Sequence, residues 1–182
     1  MRRFGTIIFC ACLLLLASAV AQAQTFAGTG TTSVSVAVVA EAALSVTTAT
    51  STLAHTGVIF GTDFTGSTNY TYKVRTTKTG GTGTVTLRVT TDFAGTGGPS
   101  VATPPSAGDT LAYTCTVTSP GTGCTGSQTA STTAATGVAT FGADAKSAKA
   151  GNTGSVAWTL TNDPMYSTGA YAATVTFTIS AA

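Results

Sequence analysis

Apolar and polar residues alternate with a period of two along most of this chain. Val34, Val36 and Val38 alternate with Ser33, Ser35 and Ala37, and Leu44 and Val46 continue the pattern after Glu41. Tyr70, Tyr72 and Val74 oppose Thr71, Lys73 and Arg75, while Val85, Leu87 and Val89 alternate with Thr84, Thr86, Arg88 and Thr90. Successive side chains of a strand point to opposite faces, so these runs predict strands with one apolar face each. Leu111, Tyr113, Cys115 and Val117 predict another, and Val138 with Phe141 a short one. The clearest come last: Val156, Trp158 and Leu160, then Tyr171, Ala173, Val175, Phe177 and Ile179 set against a row of threonines. No window of a dozen residues carries the 3.6-residue repeat of an amphipathic helix.

The breaks between these runs suggest how they connect. Gly80, Gly81 and Gly83 stand between the second and third runs, which reads as a hairpin whose outer face carries most of the positive charge. Phe93 to Asp109 lapses into Gly, Pro and Ser, the composition of a long connection crossing from one sheet to another. Gln128 to Thr136 is low-complexity Ala, Ser and Thr, a loop or a weak edge strand, and Asn162-Asp163-Pro164 interrupts the chain before the last strand. Eight or nine short strands with one apolar face each call for two sheets packed face to face. The expected fold is therefore all-β, an antiparallel immunoglobulin-like β-sandwich, with a closed barrel as the alternative. Trp158, between Val156 and Leu160 on the apolar side, belongs to its core.

The amino terminus changes the picture of where the chain works. Arg2 and Arg3 precede an uncharged apolar run from Ile7 to Ala19, and Ala21-Gln22-Ala23 offers small residues where a signal peptidase reads. Residues 1–23 are expected to be a cleaved signal peptide and 24–182 a single domain, secreted to the periplasm, the cell surface or the medium. The apolar run is too short for a comfortable membrane span, which needs about 20 residues, and no second candidate follows. With Arg2 and Arg3 removed, six basic residues remain against six acidic ones, and that balance gives no pull towards nucleic acid. Only 8% of residues are charged. Threonine, roughly a quarter of the chain, supplies the polar cover instead, and its branched Cβ suits a half-solvated strand. Cys115 and Cys124 form an even pair in an exported chain and predict a disulfide, closing the two arms of a hairpin around Pro120-Gly121. A loop this short is stabilised by on the order of 2–3 kcal/mol in the chain-entropy picture.

Candidate chemistry is sparse. His55, the only histidine, has no nucleophile or second metal ligand near it in sequence, and Gly-x-Ser-x-Gly does not occur. Glu41, Asp63, Asp92, Asp109, Asp144 and Asp163 are scattered, mostly beside Gly, Pro or Thr, where aspartate forms turns. No enzymatic activity, cofactor or metal site is expected. Asn69-Tyr70-Thr71 fits a glycosylation sequon but falls on a predicted strand.

Two resemblances bear on function. The stretch Gly169-Ala170-Tyr171 through Thr176-Phe177-Thr178-Ile179, together with Val58-Ile59-Phe60-Gly61, resembles the spore coat protein U family and the archaic chaperone–usher pilins. That resemblance implies an immunoglobulin-like subunit that completes its fold with a strand from a neighbour and assembles into fibres or coats; the cysteines depart from the family in forming one late, local pair. Trp158-Thr159-Leu160 fits the Trp-x-Leu signature of a cell-wall-binding family, which implies a wall polymer as ligand. The first reading ranks higher: a surface structural or adhesive subunit whose partners are other copies of itself or related subunits, with Val34, Val36 and Val38 as the donor strand. Those residues could equally pair within their own chain. The alternative is a module for carbohydrate or cell-wall polymer, for which Tyr70, Tyr72 and Tyr166 are the candidate contacts.

Overall fold

A computed structural model describes residues 29–57 and 60–182. The expected signal peptide with its cleavage site, and Val58 and Ile59 of the Phe-Gly element, lie outside the described residues. The described residues up to Val36 stand apart as a unit from Ala37–Ala182, which forms the body. Among the described residues there is no helix and there are nine strands, in two antiparallel sheets that face each other. The alternation read from the sequence thus builds a β-sandwich, and the sheets do not close into a barrel.

The strands are β1 (Glu41–Val46), β2 (Phe64–Arg75), β3 (Gly83–Thr91), β4 (Leu111–Val117), β5 (Thr122–Gly123), β6 (Gln128–Thr129), β7 (Thr136–Phe141), β8 (Asn152–Leu160) and β9 (Thr174–Ala181). One sheet has the order β1-β2-β8-β4-β6 and the other β5-β7-β3-β9. Between them lies a core set by the period of two: Tyr70, Tyr72 and Val74 from β2, Leu111 and Tyr113 from β4, and Val156, Trp158 and Leu160 from β8 meet Val85, Leu87 and Val89 of β3 and Val138 and Phe141 of β7. Aromatic rings bridge the layers, with Tyr72 against Phe141 at 5.1 Å and Tyr70 against Phe177 at 5.8 Å between ring centres. Trp158 is in the core as expected, its Nε1 donating to Thr68 Oγ1 at 2.8 Å.

Three expectations are corrected. β2 and β3 are not a hairpin, because they belong to opposite sheets. The connection 76–82 is long enough to cross the roughly 10 Å between sheets, and Thr76 anchors it, donating to the Gly142 carbonyl and accepting from the Ala145 amide. The disulfide Cys115–Cys124 is present, yet it does not close a hairpin: Cys115 is on β4 in one sheet, and Cys124 follows β5 in the other, where its amide bonds to Val138. It therefore staples the two sheets along one side of the sandwich. Third, residues 29–40, with Val34, Val36 and Val38, carry no regular secondary structure, and the first strand begins only at Glu41. Phe93 to Asp109 does cross between sheets, from β3 to β4, as its composition implied.

Gly154 on β8 shows how tightly the aromatic layer is fitted, since a Cβ there would run into the ring of Tyr70 on the neighbouring strand. The two tyrosines of β2 differ in their hydroxyls. Tyr72 donates to the Thr118 carbonyl and accepts from the Gly121 amide, whereas the Tyr70 hydroxyl is buried without a partner, and burial pushes its pKa up to about 12. Removing a bonded buried hydroxyl strands its partners, while removing an unpaired one relieves a desolvation cost. Tyr72→Phe should lower stability by about 1–2 kcal/mol and Tyr70→Phe should leave it unchanged or raise it by about 1 kcal/mol. Denaturant unfolding of both variants checks this, and equal losses from the two would contradict it.

Candidate functional site

The two sides of the sandwich are finished differently. On one, β4 and β5 are joined through the disulfide. On the other, β1 ends the first sheet, β9 ends the second, and the two lie alongside one another without a ladder between them. β9 is the last strand of its sheet, eight residues long, free of proline, and hydrogen-bonded to β3 on one side only. Its inner face shows the consequence. Val85, Leu87 and Val89 of β3 are 0–1% exposed, but Val175, Phe177 and Ile179 of β9 are only partly buried, as are Ala42 and Leu44 of β1. A long, regular edge with unpaired backbone groups and incompletely covered apolar side chains is a template for another strand.

Strand-forming residues without a ladder lie just before β1. Val34, Val36 and Val38 are 92%, 84% and 63% exposed. Their alternation with Ser33, Ser35 and Ala37 is intact, although no partner strand uses it. The chain then reaches the sandwich where Arg75 Nε donates to the Val39 carbonyl at 2.8 Å and Arg75 Nη2 pairs with Glu41 at 3.0 Å.

The tyrosines proposed as glycan contacts fall elsewhere. Tyr70 and Tyr72 are each 1% exposed, because both stand on the inward face of β2, so neither can stack on a ligand at the surface. Tyr166 is half-buried, and its hydroxyl is shielded from water. Trp158 and Leu160 of the Trp-x-Leu motif both point into the core. His55 is exposed and meets Phe64 edge to face at 5.1 Å. Asn69, on β2, is at the surface, where its carbonyl accepts from Thr47.

Two aspartates, expected as turn formers, have surroundings that the sequence left open. Asp92, just after β3, accepts from the amides of Phe93, Val101 and Ala102 and from the Ser100 hydroxyl, which folds the 92–103 connection around one carboxylate. Burial by itself would raise its pKa, but these four donors outweigh it and hold the carboxyl below the ordinary range. Asp109 is 7% exposed and stands beside Asp163 and Tyr166. Burial first and the Asp163 carboxylate with it push Asp109 up, against a lowering contribution from Tyr166. Neither Asp109 Oδ2 nor the Tyr166 hydroxyl makes a hydrogen bond of normal geometry. Asp163 is lowered, by Ser106 and the Met165 amide. The position of Asp92 at the start of a Gly- and Pro-rich connection was the one available signal for its role; which amides would converge on it depends on the folded path.

Among the described residues no group of three or more His, Cys, Asp or Glu side chains gathers as a metal site would require, and no helix is long and apolar enough to cross a membrane. Comparison with protein-family models, with curated proteins and with solved structures finds no match to this chain. The class defined by fold and site is thus an all-β, disulfide-stapled sandwich whose longer edge strands, β1 and β9, lie side by side without a ladder between them.

Asp92→Asn keeps the shape but weakens the acceptor that four donors share, and should lower stability by about 1–3 kcal/mol at neutral pH. Because the folded pKa is depressed, the contribution is complete above the ordinary carboxylate pKa of about 4 and fades as pH falls through the folded value. Unfolding curves of the two proteins should therefore converge on acidification; a gap that widened below pH 4 would contradict the assignment.

Proposed function

We propose that this protein is a secreted or cell-surface structural or adhesive subunit, and that copies join by β-strand addition into fibres or a coat. One observation carries the reading: the same chain has an unpaired, regular edge on β9 and an exposed segment of alternating valines, Val34, Val36 and Val38, outside any ladder. Strand addition uses both. Main-chain hydrogen bonds along β9 give affinity, and alternate side chains reaching the partly covered Val175, Phe177 and Ile179 give register. Each fully buried valine contributes about 1.5–3 kcal/mol relative to exposure, which works with the main-chain bonds against the cost of ordering the segment and joining two molecules.

The resemblance of the final strand to coat and pilin subunits supports the same reading. The surface fits it too, since hydroxyls of Thr84, Thr90, Thr176 and Ser180 coat the outer face of the β3–β9 pair and leave function to reside in contacts between surfaces. The carbohydrate-binding alternative loses two of its three proposed contacts to the core, and no observation favours it.

Val36→Lys with Val38→Lys is expected to abolish multimers seen by size exclusion and electron microscopy. The fold should be unaffected, because both side chains are exposed in the single chain. Multimers that persist at wild-type level, with an unchanged circular dichroism spectrum, would reject donation by this segment.

A further inference from the structure

The few charges of this molecule are sorted between its two ends. The strand registers define the ends: Arg75, Gly83, Phe141, Gly154 and Ala181 lie at one, and Phe64, Leu111, Leu160 and Thr174 at the other. Of the six basic residues described, Lys73, Arg75, Lys78, Lys146 and Lys149 belong to the first end, with only Glu41 and Asp144 as carboxylates. Both of those are ion-paired, Glu41 with Arg75 at 3.0 Å and Asp144 with Lys146 at 2.7 Å, which leaves Lys73, Lys78 and Lys149 without a salt bridge among the described residues. The formal charge there is +3; a carboxylate at Ala182, whose backbone pairs with Thr77 and Thr82, would make it +2. The opposite end holds Asp63, Asp92, Asp109 and Asp163, with Arg88 the one cation toward it among the described residues, a formal charge of −3 with His55 counted neutral; Asp109 is buried, and Asp63 is the exposed carboxylate. Arg88, the sixth cation, is exposed on the outer face of β3, opposite Thr176 and two residues from the acidic end.

Distance makes this separation matter. β2 alone spans 12 residues, which at about 3.3 Å per residue puts the ends about 40 Å apart. The Debye length is about 10 Å at 0.1 M salt, so the two ends of one molecule do not neutralise each other. Two molecules can. Near that end, Glu41, Lys73, Arg75, Lys146, Ser147 and Lys149 line a shallow groove on the outer face of the first sheet, while Asp63 is exposed at the acidic end.

We propose that the acidic end of one copy docks on the basic end of the next, so that the partner of the charged groove is a second copy of this chain in head-to-tail order. The inference builds on the strand-addition reading and adds its direction and its encounter step. Residues before Glu41 join the body at the basic end, beside Arg75. With that end set on a neighbour's acidic end, the valine segment enters where β9 begins, at Thr174, and runs antiparallel to it. Complementary charge acts mainly on the rate of encounter, and the inserted strand then sets the lifetime.

The test follows self-association of the purified exported chain by light scattering at low and high salt. The initial rate should fall at least tenfold between about 20 mM and about 0.5 M salt. Lys149→Glu should slow it severalfold at low salt and Lys73→Glu with Lys149→Glu further, whereas Arg88→Glu, with the same change in net charge but toward the acidic end, should not slow it. Carbodiimide, which couples an amine to a carboxylate in contact, should link Lys73 or Lys149 of one copy to Asp63 of another at low salt. Those links should survive Val36→Lys with Val38→Lys even as stable multimers vanish. Multimers that form at a rate independent of salt and of Lys149→Glu, with no links between the two ends, would overturn the docking and leave strand addition standing. End-to-end links with multimers indifferent to the valine substitutions would uphold the docking and overturn strand addition instead.

Discussion

The aromatic layer between the two sheets is the interaction on which the rest of this structure depends. Tyr70, Tyr72, Tyr113 and Trp158 come from one sheet, Phe141 and Phe177 from the other, and their rings meet at 5–6 Å across or beside the mid-plane. A chain with so few charges has little else to set its register. A shift of one residue in β2 would turn Tyr70, Tyr72 and Val74 outwards and bury Lys73 and Thr71, so the apolar face and the strand pairing select one another. Gly154 leaves room for the Tyr70 ring, which ties the register of β8 to that of β2.

That layer is completed on one side only. Along the β4–β5 side the disulfide holds the sheets together, and small edge strands of two residues, β5 and β6, offer little to a foreign strand. Along the β1–β9 side the edge is long, and the layer thins out into Val175, Phe177 and Ile179, which keep partial contact with water. Proteins usually blunt such an edge with charge, proline or a bulge. β9 presents neither charge nor proline along Thr174–Ala181, and its one irregularity is confined to the pairing near Val89 and Thr91. An edge left open in this way on a threonine-rich, low-charge body is an aggregation hazard unless it has an intended partner.

The sequence made the strands legible because each shows one face to a dry interior, and a period of two survives any choice of topology. Core positions such as Val85, Leu87, Val156 and Trp158 could be named from it. Pairing could not. The runs at Tyr70 and Val85 look like hairpin arms because a glycine-containing loop suits both a hairpin and a crossing between sheets, and only Thr76, Gly142 and Ala145, 66 to 69 residues apart in the chain, decide between them. Tyr70 and Tyr72 were open to misreading for a related reason: alternation says that two residues share a face, and which face is inward depends on what lies opposite. The unpaired state of Val34, Val36 and Val38 was equally hidden, since a strand that pairs within its own chain and one that pairs with a neighbour have the same pattern.

The low charge content gives the remaining charges more influence than they would have on an ordinary surface. On a typical domain, a quarter of residues are ionisable and signs are interspersed, so local pairs cancel and the far field is weak. Here the outer face of the β3–β9 pair is largely hydroxyl-coated, with Thr84 against Ser180 and Thr90 against Thr176 bonding one another, and Arg88 is the one charge on those two strands. The loops at the ends therefore dominate the field, and turn chemistry places aspartates at one end while the chain's lysines gather at the other. In the proposed assembly, ends of opposite sign orient a neighbouring copy lengthwise before any strand has moved. β9 runs along that same axis, so in the proposed docking the direction favoured by charge and the direction needed for backbone pairing coincide.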